Sequence, residues 1–384
     1  MSAEGTSTAR LTTRTAAVLA MGAMGVVSLG VQSAMYGSLE RAGRIGVTEI
    51  GIAASAEMVA LAVGVAIAGK LASRWSQVGI ALCGGTGLLI ANCAMPFAAE
   101  GGIITLRVLA GGLLLWLANA YIVLSHRVVR LAALFLVLQT CLQFSAAAAA
   151  ARFFPENPDA LPLVMAVCGA LVLILSAAAK GWHAVEENRP TDPQPAFSGN
   201  ALLALALMAM LQFTLVGGWI LVELVGGEAR LSPAVVAGAT PLMLAAQVVG
   251  GLLAVALARQ AAWAAVLLAI GAAMAAVQWG LANGQSAALF LSLACAYGLL
   301  WNFALPQLTP MALAADPSMR TARIGPAAVV AGAALGPLVA TTLAERMSPS
   351  LATAAFAGPS LAVCALVAVL RVRLQPLERN AIHA

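Results

Sequence analysis

Residues 49–70 read EIGIAASAEMVALAVGVAIAGK, and LASRW follows at 71–75. The run matches the roughly 20 residues that carry an α-helix across the hydrocarbon core of a bilayer. Its only interior charge is Glu57, and it ends on Lys70 and Arg74, the basic edge that spans carry on the cytoplasmic side. Eleven comparable apolar runs lie around it. Candidate spans fall near 15–37, 49–70, 77–98, 102–124, 131–151 and 161–180, then near 200–224, 233–257, 262–282, 286–307, 323–344 and 349–370. Arg10 and Arg14 precede the first run as they would a signal peptide. That run is too long for the apolar region of a signal peptide and further spans follow at once, so it reads as an uncleaved helix.

Composition supports this reading. Hydrophobic residues make up 62% of the 384 residues and charged residues 9%. Soluble domains average roughly 45–50% and about 25%. So few charges cannot cover a water-soluble surface, and disorder needs the opposite balance. Outer-membrane barrels show alternating ten-residue strands rather than long unbroken apolar runs. The net charge of +5 reflects basic loops, not a nucleic-acid surface, because no basic cluster with interleaved aromatics occurs. Cys83, Cys93, Cys141, Cys168, Cys295 and Cys364 all fall inside apolar runs, with no CxxC and no Cys/His cluster. They read as small buried hydrophobes, and no metal site is expected.

The one long internal loop is 181–199, GWHAVEENRPTDPQPAFSG, rich in proline and charge. This is linker chemistry. It divides the chain into a first six-helix bundle (1–180), a linker (181–199) and a second six-helix bundle (200–384). With the N-terminus inside, only Arg41, Arg44, Arg152, Arg230 and Arg346 fall on the outer side, and the loop cations otherwise fall inside. Both termini are therefore expected in the cytoplasm. Twelve spans with a polar loop after the sixth is the layout of a transporter built from two parallel repeats.

Three features resemble the major facilitator superfamily (MFS) over essentially the whole chain. The first is Gly69-Lys70-Leu71-Ala72-Ser73-Arg74, which keeps the glycine, leucine and basic residue of the family's loop after the second span but has Ser73 where the family has Asp. The second is Arg107-Val-Leu-Ala-Gly111-Gly112 in the fourth span, similar to an Arg-x-x-x-Gly signature. The third is Asp316-Pro317-Ser318-Met319-Arg320 followed by Gly332-Ala-Ala-Leu-Gly336-Pro337. The resemblance implies an all-α membrane protein with 12 transmembrane helices in two pseudo-symmetric six-helix bundles. It implies a gate at Gly69, Leu71, Arg74, Asp316 and Arg320, and a helix kink at Gly336 and Pro337. The fifth span lacks the Gly-x-x-x-Gly-Pro signature of proton-driven drug exporters in the family, which counts for uptake.

Glu57 lies thirteen residues before Lys70, roughly 20 Å from the cytoplasmic end and so near mid-membrane. Arg107 lies ~7–8 Å inside the outer end of its span, within about a helical turn of that depth. A buried ionisable group in a span is expensive and marks an ion pathway or a pair. Glu57 and Arg107 are therefore expected to carry proton coupling. The alternatives are an ion pair that locks the second and fourth spans, and snorkelling of Arg107 to the interface. Glu223 reads as an interfacial residue at the outer end of the seventh span. The resemblance implies a cavity lined mainly by spans one, four, seven and ten. Gln32, Tyr36, Asn119, Gln139, Gln143, Gln212, Trp219, Gln247, Tyr297, Trp301 and Asn302 are its candidate lining; any one of them could instead make an interhelical hydrogen bond.

No span pairs a nucleophile with a base, and the three histidines lie in loops or the tail. No phosphate loop is present, so neither ATP nor another cofactor is expected. The expected protein is not an enzyme. It is a monomeric, multi-pass transporter of a bacterial-type inner membrane, moving a small organic solute by alternating access with protons, uptake favoured. Its partners are that solute, an organic anion being suggested by Arg107, then protons and the lipid bilayer, with no nucleic acid. The alternatives are a proton-driven efflux antiporter for hydrophobic compounds and a non-transporting receptor or scaffold on the same fold.

Overall fold

The structure is a computed structural model that describes residues 13–97, 101–123, 128–153, 157, 159–179, 197–257, 262–284, 286–316 and 320–382. Positions 181–196 of the linker lie outside them, as do Arg10, Arg127, Lys180, Arg189, Arg259, the three histidines and 317–319 of the third motif. In the first half, α1 (Thr13–Gly25) and α2 (Val27–Arg41) form the first span. Then follow α3 (Val47–Leu71), α4 (Gln77–Ala94), α5 (Gly101–Val123), α6 (Val128–Phe153) and α7 (Ala160–Leu175). The second half holds α8 (Gly199–Glu228), α9 (Pro233–Leu257) and α10 (Trp263–Asn283). Its tenth span is α11 (Ala287–Ala304) with α12 (Leu308–Ala315), its eleventh α13 (Arg320–Arg346), and its twelfth α14 (Pro349–Ala355) with α15 (Ala357–Ile382).

Ten stretches are long and apolar enough to cross a membrane, and Leu106–Ile122 and Ala160–Leu175 add two shorter apolar helices. The chain is an all-α membrane protein consistent with twelve spans. The ends of spans one, seven and eleven meet the starts of spans two, six and twelve. One end of the molecule carries the start of α1 and the end of α15 (the terminal end); the other carries the α2–α3 and α8–α9 turns (the distal end). Large apolar side chains such as Ile90, Phe153, Ile174, Trp279 and Val372 point outward. In a bilayer that exterior faces lipid, so an apolar residue gains nothing from the interior. This corrects the reading of the cysteines: Cys83, Cys93 and Cys141 are exposed, and Cys168, Cys295 and Cys364 only half-buried.

The two halves repeat one packing scheme. The second span lies on the fourth (α3 on α5) as the eighth lies on the tenth (α9 on α11). The third lies on the sixth (α4 on α7) as the ninth lies on the twelfth (α10 on α15), and the first on the fifth as the seventh on the eleventh. Glycines make the tightest of these contacts possible. A Cβ on Gly112 of α5 would sit 2.5 Å from the Leu61 carbonyl of α3, and one on Gly298 of α11 would collide with the Met243 carbonyl of α9. Close backbone approach through small residues is how membrane helices gain van der Waals contact where the hydrophobic effect is weak. The halves meet where α3 packs on α13, α6 on α9, and α2 on α8 and α9.

Three spans differ from simple apolar rods. The first breaks at Val26, whose φ of −114° and ψ of 14° interrupt the helix. The tenth passes through a 3-10 turn at Leu305–Gln307, where Pro306 removes a backbone donor. The twelfth breaks after Ala355 and its second helix runs on to Ile382, well past the expected end at 370. The eleventh, α13, is continuous through Pro326 and Pro337. Gly336 lies against α8, where a Cβ would be 2.5 Å from the Phe213 carbonyl and 2.9 Å from the Gly217 nitrogen.

Candidate functional site

Glu57 and Arg107 meet inside the first half. Glu57 is in the third turn of α3 and Arg107 near the start of α5, and the glycine contacts between these helices hold the two backbones close. Glu57 Oε1 forms an ion pair with Arg107 Nη2, and both side chains are fully buried. Arg107 does not snorkel. Gln32 Nε2 of α2 donates to Glu57 Oε2. Arg107 Nη1 points at two thioether sulfurs, Met35 Sδ at 3.0 Å and Met95 Sδ at 3.2 Å, and Tyr36 lies beside the guanidinium. Taking two such ions out of water costs several kcal/mol each, which only their mutual attraction and good hydrogen bonds offset. Here the hydrogen bonding is incomplete. Sulfur is a weak acceptor, and the buried Gln32 Oε1 has no hydrogen-bond partner among the described residues. A proton on the carboxylate would leave the Arg107 cation buried without its counter-charge, so a change of charge here requires the pair to rearrange or water to enter.

A second buried carboxylate lies at the distal end, where the halves touch. Glu223 of α8 is 2% exposed. Its Oε2 pairs with Arg41 Nη1 of α2 at 2.9 Å, and its Oε1 accepts from Thr240 Oγ1 of α9 at 3.1 Å. Glu223 thus lies near the distal end of its span, which continues to Glu228, and is buried there because α2 and α9 cover the carboxylate. Arg41, which caps the first span as Glu223 nears the end of the seventh, was the available signal, since these spans correspond in the two repeats. Beside this contact Gly51 of α3 lies on α13, where a Cβ would be 2.8 Å from the Pro337 carbonyl and would collide with Thr341 Oγ1. The Thr48 backbone N–H also donates to Glu345 Oε1 at 3.3 Å. Contacts between the halves thus gather at the distal end, around a cleft lined by Ser38, Arg41, Glu223 and Ala237.

The second half carries an uncharged counterpart to the buried pair. Gln278 Nε2 of α10 donates to Thr214 Oγ1 of α8 at 3.0 Å, and Ser360 Oγ of α15 donates to Gln278 Oε1 at 2.7 Å. The Tyr297 hydroxyl donates to the Leu215 carbonyl at 2.6 Å. Each of these polar groups is paired, so this network binds α8, α10, α11 and α15 into one unit. Gln278→Leu removes the bonds to Thr214 and Ser360, whose hydroxyls keep each other at 2.7 Å, and is expected to cost about 0.5–1.5 kcal/mol. Unfolding in detergent measures it, and an unchanged midpoint contradicts the assignment.

The remaining candidates are dispersed. Gln32 and Tyr36 belong to the buried pair. Gln143 of α6 is buried and donates to the Val26 carbonyl at 3.0 Å, at the break in the first span. Gln212 and Gln247 are buried, Gln139 and Asn302 half-buried, and Asn119 exposed. Trp219 is buried edge-on to half-buried Trp301, ring centroids 5.6 Å apart. Trp301 packs with Leu29, Met58, Val216 and Ala333, an apolar cluster drawn from both halves. Of the gate residues, Gly69 and Arg74 are exposed and Leu71 half-buried at the terminal end. Ser73 Oγ, at the family's Asp position, donates back to the Lys70 carbonyl at 2.9 Å. Asp316 Oδ2 accepts from the Thr321 backbone N–H at 3.0 Å, capping α13, and the Arg320 guanidinium lies 3.8 Å over the Phe197 ring just before α8. No group of three or more His, Cys, Asp or Glu gathers among the described residues.

No protein-family model matches the sequence, and no curated protein matches it. Solved structures do match over nearly the whole chain. A crystal structure of a mutant of the nucleoside transporter NupG has a TM-score of 0.72 at 13% identity, covering 93% of this chain and 99% of that one. A POT family transporter in complex with a thioalcohol-conjugated peptide has a TM-score of 0.68 at 14% identity, covering 94% and 96%. A bacterial homolog of the human lysosomal transporter Spinster, inward-facing and unoccupied, has a TM-score of 0.60 at 13% identity, covering 94% and 95%. Helices consistent with twelve spans, matched over nearly the whole chain by these structures, give this chain the fold that these transporters share.

Proposed function

We propose that the chain is a secondary transporter that moves a small organic solute by alternating access, with a proton exchanged at Glu57. The observation that carries this reading is the fully buried Glu57–Arg107 pair, bonded to Gln32, inside one half of a two-halved transporter fold. A carboxylate that must be either paired with Arg107 or protonated has two states, and each favours a different surrounding. Alternating access supplies two such surroundings. The halves are 1–180 and 200–384, joined through 181–199, in a bacterial-type plasma membrane with the terminal end in the cytoplasm. The distal end then faces outward. The protein works as a monomer, uses no cofactor and catalyses no covalent chemistry. Uptake is the favoured direction.

The apolar and aromatic contact between the halves at Leu29, Met58, Val216 and Trp301 supports a solute with an apolar or ring portion. Arg107 is enclosed by Glu57, Met35, Met95 and Tyr36, so an organic anion would have to displace a partner to reach it. The test is counterflow in proteoliposomes with a panel of nucleosides, short peptides, aromatic acids and hydrophobic cations, the first two classes suggested by the neighbours' substrates. Exchange of at least one class, lost on Trp301→Ala, is expected. A chain that binds members of the panel but exchanges none is a receptor or scaffold.

A further inference from the structure

Helix α2 touches both buried carboxylates. It is a separate fifteen-residue helix, Val27–Arg41, cut from α1 at Val26. At the cut the bonding tightens to three-residue steps, Val26 N to the Ala23 carbonyl and Leu29 N to the Val26 carbonyl, both 3.2 Å. Gln143 of α6 holds the Val26 carbonyl from the side. Beyond the cut, two stripes run along α2. Gln32 and Tyr36, four residues apart, face the Glu57–Arg107 pair. Gly37 and Arg41, also four apart and roughly 140° further round the helix, face Glu223 of the other half. Gly37 has no side chain to hold α8 away, and a Cβ there would lie 2.7 Å from Glu223 Oε2. Arg41 closes the contact, and Thr240 of α9 fixes the carboxylate's other oxygen.

We infer that α2 is a lever, hinged at Val26, that transmits the charge state of Glu57 to the Arg41–Glu223 latch between the halves. This rests on the reading of Glu57 as the group that changes charge. Ionised, Glu57 holds Gln32 by a charge-assisted hydrogen bond, roughly twice as strong as a neutral one. Neutral, it loosens that hold and its pairing with Arg107 together, and α2 is freed at the stripe that sets its rotation. Turning α2 carries Arg41 off Glu223 and moves Gly37 from beneath it, so the distal end is released. Gln32, Gln143, Arg41 and Glu223 are then positioning residues, and none need touch the solute.

Amide hydrogen exchange of the full-length protein in nanodiscs tests this on segments 38–50 and 224–235, with 272–282 around Gln278 as the folding control. Arg41→Ala cuts the latch directly and should speed exchange in both distal segments. Glu57→Gln and Gln32→Leu cut the lever at its other end, and each should speed the same segments about 5-fold or more, the lower end of typical coupling between sites. The double variant should do no more than either single one, because both remove one connection. Unchanged distal exchange in Glu57→Gln and Gln32→Leu, or effects that add, would overturn the lever. An Arg41→Ala protein with unchanged distal exchange would overturn the latch. If Glu57→Gln speeds the control segment as well, it has lost its fold and Gln32→Leu alone decides. Exchange is read without solute, so a lever that works in a protein that moves no protons separates failure of the transport reading from failure of this one.

Discussion

Arg107→Ala is expected to be among the most destabilising single substitutions in the protein, lowering its stability by about 3–5 kcal/mol, the usual result of leaving one member of a buried pair alone. The reason is local. Glu57 is completely buried, and without Arg107 its remaining partner among the described residues is the Gln32 amide. The double variant Glu57→Leu/Arg107→Met should recover most of that loss, since buried pairs replaced by well-packed apolar residues are often neutral or more stable. Unfolding of the single and double variants in detergent checks both statements. If the double variant folds well but moves no solute, the pair is kept for what it does rather than for stability. A single variant as stable as wild type would mean that water reaches the pair.

Gly51→Val is expected to abolish closure of the distal end. The glycine faces the Pro337 carbonyl of α13 at a distance that no Cβ tolerates. Backbone cannot swing aside as a flexible side chain can, so α3 and α13 must part. Overpacking of this kind costs typically ~1–3 kcal/mol, and each 1.4 kcal/mol is about tenfold in a population. Because the clash exists only when the distal end is closed, the cost falls on that state. Transport should therefore drop by roughly tenfold or more, while the protein stays folded with the distal end open to thiol reagents. Gly238→Ala in α9 is the control. A Cβ there meets nothing within 4 Å, and alanine in a helix should add ~0.5–1 kcal/mol of stability. Equal transport in wild type and Gly51→Val would show that the contact at Gly51 does not gate.

The spans and their count are legible because hydropathy over a long window reports membrane depth directly, as the run from Glu49 to Lys70 does. The depth of Glu57 and Arg107 is legible for the same reason, and the structure brings them into contact. Rotation about a helix axis is not legible in a chain that is apolar on every face. Tyr297 is an example: it belongs to the correct span, but its hydroxyl is turned onto the Leu215 carbonyl. Breaks in helices without proline are equally silent. Nothing in the residues around Val26 announces that the first span is two helices, yet the hinge of the proposed lever lies there. Burial of Glu223 depends on α2 and α9 arriving from distant parts of the chain. The cysteines show the reverse case, where a rule learned on soluble proteins misplaces apolar residues that lipid accommodates.

The central claim is that solute movement and proton movement are linked through Glu57. Wild type and Glu57→Gln, reconstituted in vesicles that enclose a pH dye, test it most directly once a counterflow substrate is in hand. The account predicts that adding substrate outside changes the internal pH of wild-type vesicles, acidifying them if solute and proton enter together, and leaves Glu57→Gln vesicles unchanged. Equal pH responses in the two proteins would contradict it.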